Sequence, residues 1–354
     1  MKPLLLLLCV LGSLTHAADT RPNILFIYAD DWGWGDLASH GHPHLKTPNL
    51  DRLVKEGTDF HQFTVGHPVC SPSRTAIVTG HYPARHGVHQ HFAGHAENVA
   101  RGMPDWLDPK APLLPRLMKQ AGYTTAHFGK WHLSGGGLDA PLPTEYGYDD
   151  AAVWTGPGRS VFEDTPIQAK AGDAHDQHAA SFLTTAATEH ALRFIRAANE
   201  KPFYLNLWIH ETHHLVSATE EDKKAYPDTA EPQRTYYAAI TRADKQIGRL
   251  LDLLDELKIT DNTLVIFSSD NGPENSHAKP GKNSTTASAP LVAFAAANAA
   301  STSAASTSPS SSAGPVTSPP VASTKPASSR VSTSSPPSSP PPASRPLTAT
   351  PATA

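Results

Sequence analysis

Three short apolar runs, each parted from the next by helix-like stretches, limit the fold of this chain more than any other feature. They are Ile24-Leu25-Phe26-Ile27-Tyr28, residues 203–209 and Thr263-Leu264-Val265-Ile266-Phe267. Runs that are apolar throughout, rather than alternating, suit strands buried on both faces. Between them the spacing predicts helices. Thr47-Pro48-Asn49 opens one through Leu50, Leu53 and Val54, ended by Gly57. A second covers residues 73–79, ended by Gly80, and a third carries Leu113, Leu114, Leu117, Met118 and Ala121, ended by Gly122. Tyr236, Ile240, Ile247, Leu250, Leu251 and Leu254 mark a long fourth. Strands alternating with helices imply an α/β fold: a mostly parallel central sheet flanked by helices on both faces. Such sheets bind ligands beyond the carboxyl ends of their strands. Two of the three runs end in acids, at Asp30-Asp31 and Asp270-Asn271.

The 354 residues are enough for one large domain plus an extension. The extension is marked by a break in composition. Glu274 is the last acidic residue, and residues 284–354 are almost entirely Ala, Ser, Thr and Pro, with Phe294 as the sole aromatic. Such a stretch cannot bury enough apolar surface to offset its ordering entropy, so disorder is expected. Its origin is either a natural Ser/Thr/Pro stalk or a shifted reading frame. The frameshift is favoured, because the break falls straight after a strand-end motif in mid-domain. At the other end, residues 1–17 read as a signal peptide. Lys2 is followed by an apolar core at residues 4–11 and by Thr15-His16-Ala17. The organisation expected is therefore a leader at 1–17, an incomplete catalytic domain at 21–275 and a low-complexity tail at 284–354. A secreted or periplasmic location follows from the leader. No stretch is long and apolar enough to predict a membrane span. The net charge of −4 gives no reason to expect a nucleic-acid partner.

Four segments carry chemistry. Adjacent carboxylates at a strand end repel each other, and a bound cation removes the conflict; hard oxygen donors favour Ca²⁺ or Mg²⁺. Asp-Asp and Asp-Asn-Gly are each ordinary turn sequences. Both lie at ends of buried strands, which converge at one edge of a parallel sheet. In Cys70-Ser71-Pro72-Ser73-Arg74, Pro72 near the first helical position places Cys70 at the positive end of a helix, where an anion is favoured. Cys9 lies in the leader, so Cys70 is the single thiol of the mature chain. It is either an inert buried residue or a reactive one. Arg74, one turn on, can hold an oxyanion. In Gly129-Lys130-Trp131-His132, Lys130 and His132 share one side of an extended segment, which suits binding and protonation of a tetrahedral anion. His210-Glu211-Thr212-His213-His214 follows the second run; it reads as a polar loop, or as a zinc site without the usual spacing.

These segments together resemble the sulfatases of the alkaline phosphatase superfold. The matching stretches are residues 22–33, Thr47-Pro48-Asn49-Leu50-Asp51-Arg52-Leu53, Cys70-Ser71-Pro72-Ser73-Arg74 through Thr79-Gly80-His81-Tyr82-Pro83, residues 122–132 and Ser269-Asp270-Asn271-Gly272. They stand in family order, and residues 103–105 and 113–123 are similar to the N-acetylgalactosamine-6-sulfatase-like and arylsulfatase A-like branch. The resemblance implies a sulfated sugar as substrate. It also implies a separate formylglycine-generating enzyme that reads Cys-x-Pro-x-Arg and oxidises Cys70 to formylglycine. One hydroxyl of the aldehyde hydrate attacks sulfur; the other loses its proton, the carbonyl reforms and sulfate leaves. Carried over residue by residue, Asp30, Asp31, Asp270 and Asn271 correspond to ligands of one Ca²⁺, with modified Cys70 beside them. Arg74 would stabilise the hydrate, Lys130 would hold a sulfate oxygen and His132 would help deprotonate the second hydroxyl. His213 corresponds to the leaving-group acid, with His210 as the alternative. The family's second sulfate-binding Lys and its Arg-Val-Pro stretch have no counterpart; Lys279 and Lys282 come too early. Two other readings stay open: a phosphoester or phosphonate hydrolase of the same fold, and an inactive truncated remnant.

Overall fold

A computed structural model of the chain describes residues 21–135, 139–167, 177–198, 201–273 and 311–313. The expected leader, Lys279, Lys282 and all of the 284–354 stretch except 311–313 lie outside the described residues. Five strands form the parallel body of the sheet: β1 (Asn23–Ala29), β3 (Thr124–Lys130), β4 (Asp150–Trp154), β5 (Phe203–Trp208) and β6 (Thr263–Ser269). Two short strands, β2 (Thr58–Asp59) and β7 (Ser311–Ala313), extend it, in the order β2-β7-β6-β1-β5-β3-β4. β1 runs parallel to both β5 and β6, so the three runs read from the sequence are neighbours. β7 pairs antiparallel with β6 and β2, and it lies within the stretch expected to be disordered.

Period-two alternation divides the core in two. Leu25, Ile27, Phe128, Leu205, Leu207, Val265 and Phe267 face one side of the sheet. That side is covered by α1 (Pro48–Glu56), α6 (Leu183–Ala197) and α8 (Gln233–Glu256). Phe26, Tyr28, Tyr204 and Trp208 face the other side with Val78 of α2 (Cys70–Thr79), and Met118 of α4 (Leu114–Gln120) packs there too. Three short α-helices are also present among the described residues: α3 (His95–Ala100), α5 (Gln177–Ala180) and α7 (Glu220–Lys223). Among the described residues, no helix is long and apolar enough to cross a membrane.

Two local devices hold the elements that carry the site. Gly129, at φ +109°, is required by close approach: a Cβ there would lie 1.9 Å from the Trp208 carbonyl oxygen. β3 can therefore press against β5 at the end that presents Lys130. The N-terminus of α1 is capped from another helix. Asp244 of α8 accepts from the backbone N–H of Leu50 at 2.8 Å and of Asn49 at 3.2 Å, and from Asn49 Nδ2 at 2.8 Å. Thr47, the residue before the helix, makes no side-chain cap.

Candidate active site

β1 and β6 run parallel and in register, so their carboxyl ends place Asp30-Asp31 beside Asp270-Asn271. The Asp31 N–H donates to Asp270 Oδ1 at 3.1 Å, and Asn271 Nδ2 donates to Asp31 Oδ1. Asp31 adopts φ +59°, a left-handed conformation that Asp tolerates better than most residues. α2 then brings Cys70 to the same place. One oxygen each of Asp30 and Asp31 and the sulfur of Cys70 lie within 4.8 Å of one another. α2 begins at Cys70 itself, with Val69 as the residue before it, and Pro72 is its third residue. The helix thus starts three residues earlier than its apolar pattern suggests, and Cys70 stands in the first turn.

Two buried cations meet these carboxylates. Arg74 Nη2 donates to Asp270 Oδ2 at 2.6 Å and to Asp30 Oδ1 at 3.1 Å. Its guanidinium carbon sits 4.9 Å from the Trp208 ring centre and 5.5 Å from that of Tyr28. Lys130 Nζ, at the end of β3, reaches both oxygens of Asp30 at 2.6 Å. Burial works against the Asp30 charge, yet Lys130, His213 and Arg74 together hold its carboxyl well below the usual range. Asp31 has weaker support, from the charge of Lys130 and the Asn271 amide. Burial, then Asp30 and Asp270, push it well above its ordinary value. Burial also raises Asp270 to about 7, with Arg74 pulling down, Asp30 pushing up and Lys130 pulling down. Three buried acids thus share two cations. Asn271 Oδ1 is buried without a hydrogen-bond partner. This surplus of anionic and neutral oxygen donors fits a hard divalent cation such as Ca²⁺.

The histidines complete the cluster. β3 ends at Lys130, and His132 is left-handed at φ +49°, so the shared face of an extended segment is not what brings them together. The turn after β3 does so. His132 Nε2 lies 3.1 Å from the Phe92 carbonyl oxygen, which can only accept. Nε2 therefore carries the proton, and Nδ1, buried and without a partner, holds the lone pair. Burial, then the positive charge of Lys130, holds His132 well below its ordinary value, so the ring is neutral. His213 likewise donates from Nδ1 to the His214 carbonyl at 2.5 Å, leaving Nε2 free 4.0 Å from Asp31 Oδ2. Burial lowers it to about 4. His210 is buried with neither ring nitrogen partnered, edge-on to Trp154 at 4.6 Å. Asp30, His210 and His213 also bring donor atoms within 4.8 Å of one another. The loop bearing both histidines is tied to β1: Thr212 Oγ1 donates to the Asp31 carbonyl at 2.8 Å, and the Asp30 N–H donates to the Glu211 carbonyl at 3.2 Å. Glu211 is itself paired with Arg242 of α8 at 3.1 Å, a link across 31 residues that no local pattern signals.

The expectation that the helix end favours an anion at Cys70 meets a stronger opposing field. Burial raises the thiol to about 12; Lys130 pulls it down, and Asp30, Asp270 and Asp31 push it further up. In the absence of a bound cation these groups favour the thiol over the thiolate at Cys70. The arrangement offers instead a cation site, two fixed positive charges and three neutral imidazoles around one small side chain, which suits binding and turnover of a tetrahedral anionic ester.

Comparison with known proteins agrees with this geometry. The model of the family described as Sulfatase matches residues 22–325. The N-acetylgalactosamine-6-sulfatase of Homo sapiens is 38% identical over 290 residues, covering 74% of this chain and 52% of that protein. Arylsulfatase G of Mus musculus is 31% identical over 286 residues, covering 72% of this chain and 52% of the relative. Among solved structures, Ps i-CgsB in complex with k-i-k-neocarrahexaose matches with a TM-score of 0.63 at 28% identity, over 84% of this chain and 66% of that one. The phosphonate monoester hydrolase of Agrobacterium radiobacter, at 19% identity and a TM-score of 0.55 over 83% of this chain and 68% of that one, shares the fold alone. The chain spans about half the length of the curated relatives it matches. It belongs to the Sulfatase family.

Proposed function

We propose that the protein is a sulfuric ester hydrolase that removes sulfate from a sulfated carbohydrate, with Cys70 converted to formylglycine by a separate generating enzyme. Asp30, Asp31, Asp270 and Asn271 would hold one Ca²⁺. The observation that carries this reading is the convergence of Cys70 with Asp30 and Asp31 within 4.8 Å, beneath Arg74 and Lys130. The carbohydrate assignment rests on relatives whose names are those of sugar sulfatases. The leader-like sequence of residues 1–17 is what supports a secreted or periplasmic location.

Calcium, when bound, supplies positive charge that polarises the sulfate oxygens and favours an oxyanion at residue 70. Formylglycine supplies a geminal hydrate, so that one hydroxyl can form the covalent sulfate and the other can expel it. The protein's own groups do the rest. Arg74 cannot turn away without leaving Asp270 unpaired and Asp30 with Lys130 alone, so it presents a fixed positive charge beside residue 70. Lys130, at the end of β3 and held on Asp30, supplies a second one for a sulfate oxygen. The His132 lone pair on Nδ1 is available to take a proton from a hydroxyl at residue 70. His213 Nε2, 4.0 Å from Asp31 Oδ2, once protonated can donate to the departing alcohol oxygen; His210 is the alternative donor.

The test is co-expression with a formylglycine-generating enzyme, mass measurement of the Cys70 peptide, and turnover of aryl sulfate, aryl phosphate and aryl phosphonate esters. Sulfate turnover that requires both the aldehyde and Ca²⁺ supports the proposal. Preference for phosphate or phosphonate moves the chain to the alternative hydrolase class. No turnover of any ester, with no Ca²⁺-dependent shift in melting, identifies a remnant.

A further inference from the structure

A second group of metal-ligating side chains lies outside the catalytic cluster and shares no residue with it. His40, Asp59 and His61 bring one donor atom each within 4.8 Å of one another. His40 Nε2 stands 2.7 Å from Asp59 Oδ2, and His61 Nε2 stands 3.1 Å from the same oxygen. The other Asp59 oxygen, Oδ1, is buried without a hydrogen-bond partner. The His40 side chain is 1% exposed, stacked on Trp34 at 4.4 Å, and its Nδ1 lies 2.7 Å from the Trp34 carbonyl oxygen.

The tautomer decides what this cluster needs. A carbonyl oxygen only accepts, so His40 Nδ1 carries a proton. Neutral His40 then has its lone pair on Nε2, facing a carboxylate oxygen that also only accepts. Two acceptors cannot rest 2.7 Å apart, so without an ion a proton lies between them; a metal ion that replaces this proton must widen the pair to roughly 3.3 Å. A ring whose Nδ1–H is fixed on a backbone carbonyl while Nε2 points at shared donors is the arrangement that orients metal-binding histidines. Two imidazoles and one carboxylate suit Zn²⁺ or a similar first-row ion better than Ca²⁺, which prefers oxygen alone. Bonds of about 2.0–2.2 Å to each donor would part the His40 and Asp59 donor atoms by roughly half an ångström, while His61, which is 63% exposed, has room to follow.

We propose that His40, Asp59 and His61 form a site for a divalent transition-metal ion with water completing its coordination. The ion would tie the loop that follows Asp30-Asp31, which contains Trp34 and His40, to the edge of the sheet at β2. The site is independent of the sulfatase chemistry.

The test titrates Zn²⁺ against a chromophoric chelator on the full chain, with Ca²⁺ kept saturating. Wild type, His61→Ala, Asp59→Asn and His213→Ala are compared, and folding of each is checked by circular dichroism. The expected result is one tight Zn²⁺ site in the wild type. His61→Ala should weaken it by at least about tenfold and His213→Ala should leave it unchanged. His61 is exposed, so its variant keeps the test decisive if Asp59→Asn fails to fold. Absence of a tight site in the wild type overturns the proposal and makes the cluster an imidazolium–carboxylate pair. Loss of binding in His213→Ala, with His61→Ala unaffected, also overturns it and places the ion beside Asp30.

Discussion

Replacing Arg74 with Met tests whether the buried cations of the site are structural as well as chemical. The Met side chain keeps much of the apolar stem and removes the charge. Arg74 is fully buried and bonded to two carboxylates. Breaking a buried pair from one side costs about 3–5 kcal/mol, because the other charge stays behind uncompensated. Loss of the stack between Trp208 and Tyr28 adds about 1 kcal/mol. Two features reduce the loss. Lys130 still holds both Asp30 oxygens at 2.6 Å. Asp270, raised by burial to about 7 even with Arg74 present, can take a proton. Its folded value lies above the unfolded one, so it costs stability as pH rises from the unfolded value through the folded value. Without Arg74 that folded value rises further, and the cost continues to higher pH. The gap between wild type and Arg74→Met should therefore be near the lower end of the range at pH 6 and near the upper end at pH 8. The assay is urea denaturation followed by tryptophan fluorescence, with chelator present so that no cation intervenes. A loss below about 1 kcal/mol at both pH values, or a gap that narrows on going to pH 8, refutes the reasoning.

Three further outcomes are expected. Cys70→Ala should abolish sulfate-ester turnover while moving the melting temperature little, since it removes one small side chain; retained turnover would sink the nucleophile assignment. Asp244 caps α1 and is raised by burial to about 6, so it should contribute about 2–3 kcal/mol to the loss of wild-type stability as pH climbs from about 4 to 6. Asp244→Asn should flatten that part of the denaturation profile, and an unchanged slope would show that the carboxyl does not drive it. Gly129→Ala must displace β3 from the Trp208 carbonyl, so it should cost more than about 3 kcal/mol and misplace Lys130; a stable variant with normal turnover would contradict the close approach.

The strands legible in the sequence are those whose burial is recorded as branched and aromatic side chains: β1, β5 and β6. β3 is buried just as deeply but reads Thr-Thr-Ala-His-Phe-Gly-Lys, because its inward positions hold His127 against Trp131, Tyr148 and Trp208 and a glycine against β5. Polar residues buried by aromatic neighbours distant in sequence leave no apolar pattern to read. The strand-end acids are legible because parallel strands in one register must bring their ends together. The apolar pattern places the start of α2 three residues late for a definite reason. The first four N–H groups of any helix are unpaired within it, so a proline is tolerated throughout the first turn and fixes the start only to within that turn. The links from Glu211 to Arg242 and from Tyr236 to Asp36 are out of reach of sequence reasoning, since each depends on how α8 crosses the sheet.

The position of Cys70 bears on why a modified residue would be used here at all. An ordinary thiol nucleophile needs surroundings that favour the thiolate, and this site does the reverse: burial and three carboxylates raise Cys70 to about 12 despite Lys130. The same carboxylates are what gather Arg74 and Lys130 and provide the donor set for a cation, so they cannot be removed to activate sulfur without dismantling the anion-binding apparatus. A nucleophile that rests as a neutral hydroxyl escapes the conflict, because carboxylates impose no comparable penalty on an uncharged group. It can then be deprotonated locally, by a neutral imidazole such as His132 with its lone pair free on Nδ1. Without a bound cation, the site's electrostatics thus disfavour the thiolate of the unmodified cysteine and are compatible with the proposed formylglycine hydrate. The corresponding experiment is alkylation with chelator present: the unmodified Cys70 thiol should react with iodoacetamide far more slowly than a free thiol at pH 8, and rapid labelling would show that the field at residue 70 does not oppose the thiolate.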